Sequence, residues 1–272
     1  MANVQGAEAR SKDRASGTPL LKLAKVSKNF GPVQALTDVE LEIYPGEVVA
    51  LVGDNGAGKS TMIKTISGMW SPDGGQVFWE GKEVHVRSPR DAAALGIATM
   101  YQDLALCDNL DIVQNMFLGR EPKRFGFLDE TAMELAARKT LSDLSVTTVR
   151  SIRQPVGSLS GGQRQAVAVA RAVLEDAKLV IMDEPTAALG VSQTAMVLNL
   201  VKTLSDSGVA VLIISHNLVD VFSVADQIAV LYLGHLAGTY PTSQLDTQQA
   251  VELITTGALR GSTGSAGRKG PS

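Results

Sequence analysis

Apolar residues gather in three short stretches, Val48–Val52, Leu179–Met182 and Val209–Ile214. Stretches this short, wholly apolar and bounded by polar residues predict strands buried on both faces of a sheet. Leu20–Val26, Leu36–Ile43, Ile97–Tyr101, Gln227–Leu233 and Leu236–Tyr240 predict further strands, and Gln76–Glu80 with Lys82–Val86 a hairpin around Gly81. Helical patterns fall between them. One starts at Thr61–Ile66, and another follows Ser88 as N-cap and Pro89 at the first helical position. Ala166, Val169, Ala170, Val173 and Leu174 share one face of a helix over 163–175. Further helices are expected near Ser192–Leu204, stopping at Gly208, and at Thr247–Ile254. Strand alternating with helix predicts an α/β fold around a mostly parallel core sheet, with its site at the carboxyl edge. Residues from about 104 to 165 break this rhythm and read as an inserted helical subdomain. Within it, Leu128-Asp129 ahead of Met133 has the spacing of a hydrophobic staple around an Asp cap, and Glu134 with Arg138 that of an i,i+4 ion pair.

Residues 1–18 and 258–272 are polar, small and without period, and read as disordered tails around one domain at 19–257. Hydrophobic residues make up 44% of the 272, which argues against wholesale disorder. A net charge of −3 leaves no electrostatic footprint for nucleic acid, so none is expected as a partner. The single cysteine, Cys107, excludes an internal disulfide and fits a reducing compartment. No apolar run approaches the roughly 20 residues that span a bilayer, and the first residues lack the layout of a secretory signal. Any membrane connection is expected to run through a partner.

Gly53-Asp54-Asn55-Gly56-Ala57-Gly58-Lys59-Ser60-Thr61 follows the buried strand Val48–Val52 and opens a helix. A glycine, four residues, then Gly-Lys-Ser in that setting is a phosphate-binding loop. Glycines let backbone N–H groups converge on phosphates, Lys59 adds a point charge, and the Ser60 hydroxyl suits Mg²⁺. The chain is expected to bind a nucleoside triphosphate.

Phosphoryl transfer to water also needs a metal, a residue that positions or deprotonates the water, and donors for the transition state. Asp183 ends a wholly apolar strand and suits the Mg²⁺ shell; Glu184 beside it suits the general base. His216 and Gln102 also end strands. By position alone His216 reads first as a structural residue, with contact to the γ-phosphate second, and Gln102 is unremarkable. Phe30, before the turn Gly31-Pro32, reads either as a hairpin aromatic or as a platform for a base.

The order Phe30, phosphate loop, Gln102, Leu159-Ser160-Gly161-Gly162-Gln163, Leu179-Val180-Ile181-Met182-Asp183-Glu184, His216 resembles the ATP-binding-cassette (ABC) ATPases over about residues 20–257. The pentapeptide at 159–163 is the most specific part, since other P-loop proteins lack it. The resemblance implies a P-loop NTPase fold with an N-terminal antiparallel β subdomain, and it implies roles. Phe30 stacks on adenine and Gly53–Thr61 hold the phosphates of ATP. Ser60 and Gln102 meet Mg²⁺, with Asp183 acting largely through water, Glu184 activates the attacking water, and His216 contacts the γ-phosphate. Ser160, Gly161, Gly162 and Gln163 serve the P-loop of a second copy, which implies a head-to-tail homodimer around two ATP molecules.

After Glu184-Pro185-Thr186 the family usually shows Ser-Ala-Leu-Asp, where this chain has Ala187-Ala188-Leu189-Gly190. Gly190 lacks the polar contacts across the dimer expected of an aspartate. Ser88-Pro89-Arg90-Asp91-Ala92, Tyr101–Leu106, Asn115–Glu121 and Glu184–Gly190 look like the ribose/xylose/fructose class of sugar importers, and the single cassette looks like its short fructose-type members. That resemblance implies an ATPase at the cytoplasmic face of a bacterial membrane, attached through integral permease subunits and served by an extracytoplasmic sugar-binding protein. An ABC ATPase of an importer for another solute, or of an exporter, is the alternative, with a non-transport ABC protein behind both. The insert, rooted at Gln102, is expected to dock the permease.

Overall fold

The computed structural model describes residues 17–101, 103–146, 148–174 and 176–259. The two predicted tails fall almost wholly outside that range. Strands β1 (Leu21–Phe30) and β2 (Val33–Ile43) form an antiparallel pair around the turn Gly31-Pro32, longer than predicted because bulges at Lys25 and Asp38 carry the pairing on. Next come β3 (Val48–Val52), α1 (Lys59–Ile66), β4 (Gly74–Trp79), β5 (Lys82–Val84) and α2 (Pro89–Leu95). The Ser88 hydroxyl caps α2 by accepting the Asp91 N–H at 3.3 Å. Strand β6 (Ile97–Met100) leads into α3 (Ile112–Phe117), a two-stranded hairpin of β7 (Lys123–Arg124) and β8 (Phe127–Leu128), and α4 (Glu130–Asp143). The chain continues through α5 (Gly161–Leu174), β9 (Leu179–Asp183), α6 (Val191–Asp206), β10 (Ala210–Ile214), α7 (Leu218–Val224), β11 (Gln227–Tyr232), β12 (His235–Pro241) and α8 (Thr247–Thr256).

Six strands form the central sheet in the order β12-β11-β3-β10-β9-β6, parallel except for the antiparallel edge strand β12. A second, antiparallel sheet has the order β2-β1-β4-β5. The two sheets explain why the apolar runs are continuous. Alternate residues of a strand point to opposite faces. Val49, Leu51, Leu179, Ile181, Leu212 and Ile214 face a core shared with β1, β2 and α1. Val48, Ala50, Val52, Val180, Met182, Val211 and Ile213 face another, covered by α5, α6 and α8. Both faces are dry, so neither register position tolerates a polar residue.

The segment between β6 and α5 is fastened by side chains far apart in sequence. Asn115, fully buried, accepts from Cys107 N–H and donates to the carbonyls of Cys107, Leu110 and Asp111, which pins the loop ahead of α3. Asp129 caps α4 as expected, accepting the Ala132 N–H at 3.0 Å, but Leu128 stays exposed while Met133 is buried. Glu134 does not turn to Arg138. Together with Asp111 and Glu130 it pairs with Arg153, whose guanidinium serves three carboxylates at once.

Candidate functional site

The carboxyl ends of β3, β10, β9 and β6 lie side by side in that order. Sequence-distant groups therefore meet along one edge: the loop after Val52, then Ser215-His216, then Asp183-Glu184, then Tyr101.

From β3 the chain turns through Gly53–Gly58 into α1, with Gly56 and Gly58 at φ of 80° and 107°. Space is as restrictive as torsion here. A Cβ on Gly53 would sit 2.3 Å from the Leu231 carbonyl oxygen, and one on Gly58 2.6 Å from that of Ala35. The loop is thus wedged between β11 and β2. Gly234, in the β11–β12 turn, ties it further by donating to the Ala57 carbonyl at 2.9 Å and accepting the Thr37 N–H at 2.8 Å. No side chain caps the start of α1. Its first N–H groups, lacking intrahelical partners, form a cradle for an anion. Gly56, Gly58, Lys59, Ser60 and Thr61 line a cleft of about 450 Å³ with Val33, Gln34, Ala35, Leu233 and Gly234 as the opposite wall. The Lys59 ammonium folds onto the loop itself, donating to the carbonyls of Gly53 and Asp54 at 2.7 and 2.9 Å. A phosphate entering the cleft competes with two neutral oxygens for that charge, and a charged acceptor is the stronger partner.

Phe30 ends β1 at 41% exposure, edge-on to Trp70 with ring centres 4.7 Å apart. The Lys28 ammonium lies 5.6 Å from the centre of the Phe30 ring. Gln34, one strand on, was not foreseen as part of this wall; only the β1–β2 turn geometry brings it to the cleft.

At the end of β9, burial and then the neighbouring Glu184 raise the Asp183 carboxyl above its usual range, with Lys59 and Lys64 opposing. Glu184 adopts a left-handed backbone (φ 51°), held by its N–H on the Ile214 carbonyl at 2.9 Å. That conformation is costly for a non-glycine residue and marks an over-determined position. It brings Glu184 Oε2 to 2.8 Å from Nδ1 of His216, whose ring is otherwise exposed. Behind them the Thr186 hydroxyl donates to buried Asp220 at 2.8 Å, a brace that the sequence reading missed because α7 gave no periodic signal. Gln102 lies outside the described residues.

Helix α5 begins two residues earlier than predicted, so Gly161 and Gly162 are its first turn. Ser160 and Gln163 form a reciprocal cap. Ser160 N–H donates to Gln163 Oε1 at 2.9 Å, and the Ser160 hydroxyl oxygen accepts the Gln163 N–H at 3.3 Å. Gln163 also donates to the Thr148 carbonyl at 2.7 Å, so both ends of its amide are spent on positioning. The Ser160 hydroxyl keeps its own hydrogen to donate. A Cβ on Gly161 would meet Leu189 at 2.6 Å and one on Gly162 would meet Met196 at 2.5 Å, so both glycines let α6 close against α5. Ser160 and Gln163 border a cleft of about 820 Å³ between α5, α6 and the loop after α4. That cleft shares no residue with the one at the phosphate loop.

Among the described residues no group of three or more His, Cys, Asp or Glu side chains gathers as a metal cage. Asp183 and the Ser60 hydroxyl suit a hard divalent cation that takes its remaining oxygens from phosphate and water, as Mg²⁺ does. No helix of the described residues is long and apolar enough to cross a membrane.

Comparison with known proteins agrees with this geometry. The model of the ABC transporter family matches residues 36–187. The chain is 49% identical to the fructose import ATP-binding protein FrcA of Rhizobium meliloti, over 79% of this chain and 86% of that one. It is 48% identical to the xylose/arabinose import ATP-binding protein XylG of Sulfolobus acidocaldarius, over 88% and 95%. A solved ATP-binding cassette, described as the dimeric post-hydrolysis state bound to ADP and Pi, matches with a TM-score of 0.67 and 25% identity, over 82% of this chain and 98% of that one.

Proposed function

This chain belongs to the ABC transporter family, and on that premise we propose that it is the ATP-hydrolysing subunit of an importer for a monosaccharide of the ribose, xylose and fructose class. It works as two copies bound to a separate membrane permease, on the cytoplasmic face of the membrane, with an extracytoplasmic sugar-binding protein delivering the substrate. The observation that carries the reading is that the cleft lined by the phosphate loop and the cleft bordered by Ser160 and Gln163 have no residue in common. A chain with one of each completes a site only when the Ser160–Gly162 turn of a second copy closes over its P-loop.

In that closed site Phe30 stacks on the adenine, and Gly53–Thr61 hold the phosphates through backbone donors and the Lys59 ammonium. Ser60, Asp183 and Gln102 would hold Mg²⁺, which supplies positive charge to the phosphate oxygens. The half-buried carboxyl of Asp183, raised by burial and by Glu184 despite Lys59 and Lys64, fits that cation. Glu184 accepts the proton of the attacking water, and the 2.8 Å bond from His216 fixes its carboxylate in place. His216 contacts the γ-phosphate, and the Ser160 hydroxyl with the first N–H groups of α5 stabilises it from across the interface. The segment at 104–165 docks the permease; cross-links found only to 226–240 contradict that docking.

The test is uptake. Cells lacking this chain are expected to lose accumulation of a labelled pentose or fructose and to regain it with the wild-type chain. Glu184→Gln is expected to restore none, and the purified variant to bind ATP while turning over at least 100-fold more slowly, the scale of losing a general base. Uptake of every such sugar unchanged by the deletion removes the sugar assignment; an active Glu184→Gln removes the base.

A further inference from the structure

The hairpin β7–β8 displays its apolar residues to solvent. Phe125, Phe127 and Leu128 are 90%, 80% and 53% exposed, three large apolar side chains within four positions. Single exposed apolar residues are ordinary, but a cluster at a tip marks a surface that meets something. The backbone makes the cluster more telling. Phe125 and Gly126 join the two strands with φ of 53° and 87°. Positive φ at both central residues is the type I′ turn, which favours Asn-Gly or Asp-Gly. A phenylalanine in the first of these positions is strained, and at its exposure no packing compensates. Stability alone selects another residue there.

The charges indicate what the tip meets. Lys123 and Arg124 stand on β7, and the Arg124 guanidinium lies 5.6 Å from the Phe125 ring centre. The acids flanking the hairpin are Glu121, which accepts the Gly119 N–H and faces the charge of Lys123, Asp129, which caps α4, and Glu130, which pairs with Arg153. That leaves Arg124 as the basic group beside the ring. Aromatic rings beside basic side chains match the layer where lipid headgroups meet acyl chains, under the negative potential of anionic lipid.

We propose that the β7–β8 hairpin is a lipid-contact element, seating Phe125 and Phe127 in the headgroup layer of an anionic membrane with Lys123 and Arg124 against the phosphates. It rests on the membrane-apposed placement of this subunit and adds to that reading a direct contact with lipid. Two rings and two charges give weak, reversible binding, so the hairpin orients the subunit beside its permease and does not anchor it alone.

The test uses the full chain without permease or nucleotide, so its outcome is independent of sugar and ATPase. Co-flotation is measured at millimolar lipid with phosphatidylcholine vesicles, pure or containing about 30% phosphatidylglycerol, a typical anionic content for such assays. Wild type is expected to bind the anionic vesicles and not the neutral ones. Lys123→Glu with Arg124→Glu is expected to reduce binding by at least tenfold, since each basic residue near the surface contributes roughly fivefold. Phe125→Asn, which suits the turn, is expected to lose several-fold in binding while its Tm stays level or rises by about 1–3 °C. A merely structural role for Phe125 lowers Tm instead. Equal flotation of wild type and Phe125→Asn overturns the proposal, as does no flotation of wild type. Flotation that is equal on anionic and neutral vesicles and unchanged in Phe125→Asn overturns it in favour of a protein partner.

Discussion

Asp183 carries the sharpest conflict between stability and function in the chain. Burial at the end of β9, and then the charge of Glu184, hold its carboxyl above the ordinary aspartate range. In the window between the ordinary and the raised value, the folded chain keeps a proton that the unfolded chain has released. The folded state thus binds more protons, and stability falls as pH rises through that window. At neutral pH the ionised carboxylate is a standing cost, which a divalent cation bound beside it, as proposed, would relieve. Asp183→Asn is therefore expected to raise Tm at neutral pH, by an increment that shrinks toward acid, while Mg²⁺-dependent ATP turnover is lost. Differential scanning calorimetry from mildly acid to neutral pH checks this; a Tm that falls at neutral pH contradicts the assigned cause.

At the scale of elements, Gly190 shows how a departure from the family pattern sits in the fold. It is the N-cap of α6 with no side-chain cap, its backbone is extended (φ −73°, ψ 163°), and a Cβ there meets nothing within 4 Å. Nothing local demands glycine. Gly190→Asp is expected to cap α6 and add a few tenths of a kcal/mol, read as a Tm rise of about 1 °C; a loss of stability shows a constraint outside this chain's own packing. Elements of this kind differ in how far the sequence discloses them. Strands β3, β9 and β10 were legible because both their faces are dry, so the apolar runs are unbroken. The Ser88 and Asp129 caps were legible because capping is local. The β7–β8 hairpin was not, because its residues pack on nothing and leave no period in a stretch that reads as helical. The partner of Glu134 was not either, since Arg153 arrives from 19 positions away. Likewise Gly234 and Gln34 join the phosphate cleft only through the pairing of sheets. In the candidate site, strand-end chemistry was readable as Asp183, Glu184 and His216, whereas the use of Gln163 as a cap emerges from its distances.

For the whole molecule, the two clefts define what one copy lacks. The phosphate loop of one chain lines one cleft, and Ser160 and Gln163 of the same chain border a different one. On the proposed reading ATP is the bond between copies and its hydrolysis releases them, which would turn chemistry into motion at a permease. Ser160→Asp isolates this claim, because aspartate is as good an N-cap as serine and leaves α5 in place, yet sets a carboxylate where the partner's γ-phosphate would lie. The most direct measurement is the mass in solution of Glu184→Gln with excess Mg·ATP, alone and combined with Ser160→Asp. The single variant is expected at twice the 28.6 kDa of one chain, and the double variant at 28.6 kDa with ATP still bound to its P-loop. A single variant that binds ATP and stays at one chain's mass, or a double variant that still pairs, contradicts the shared site.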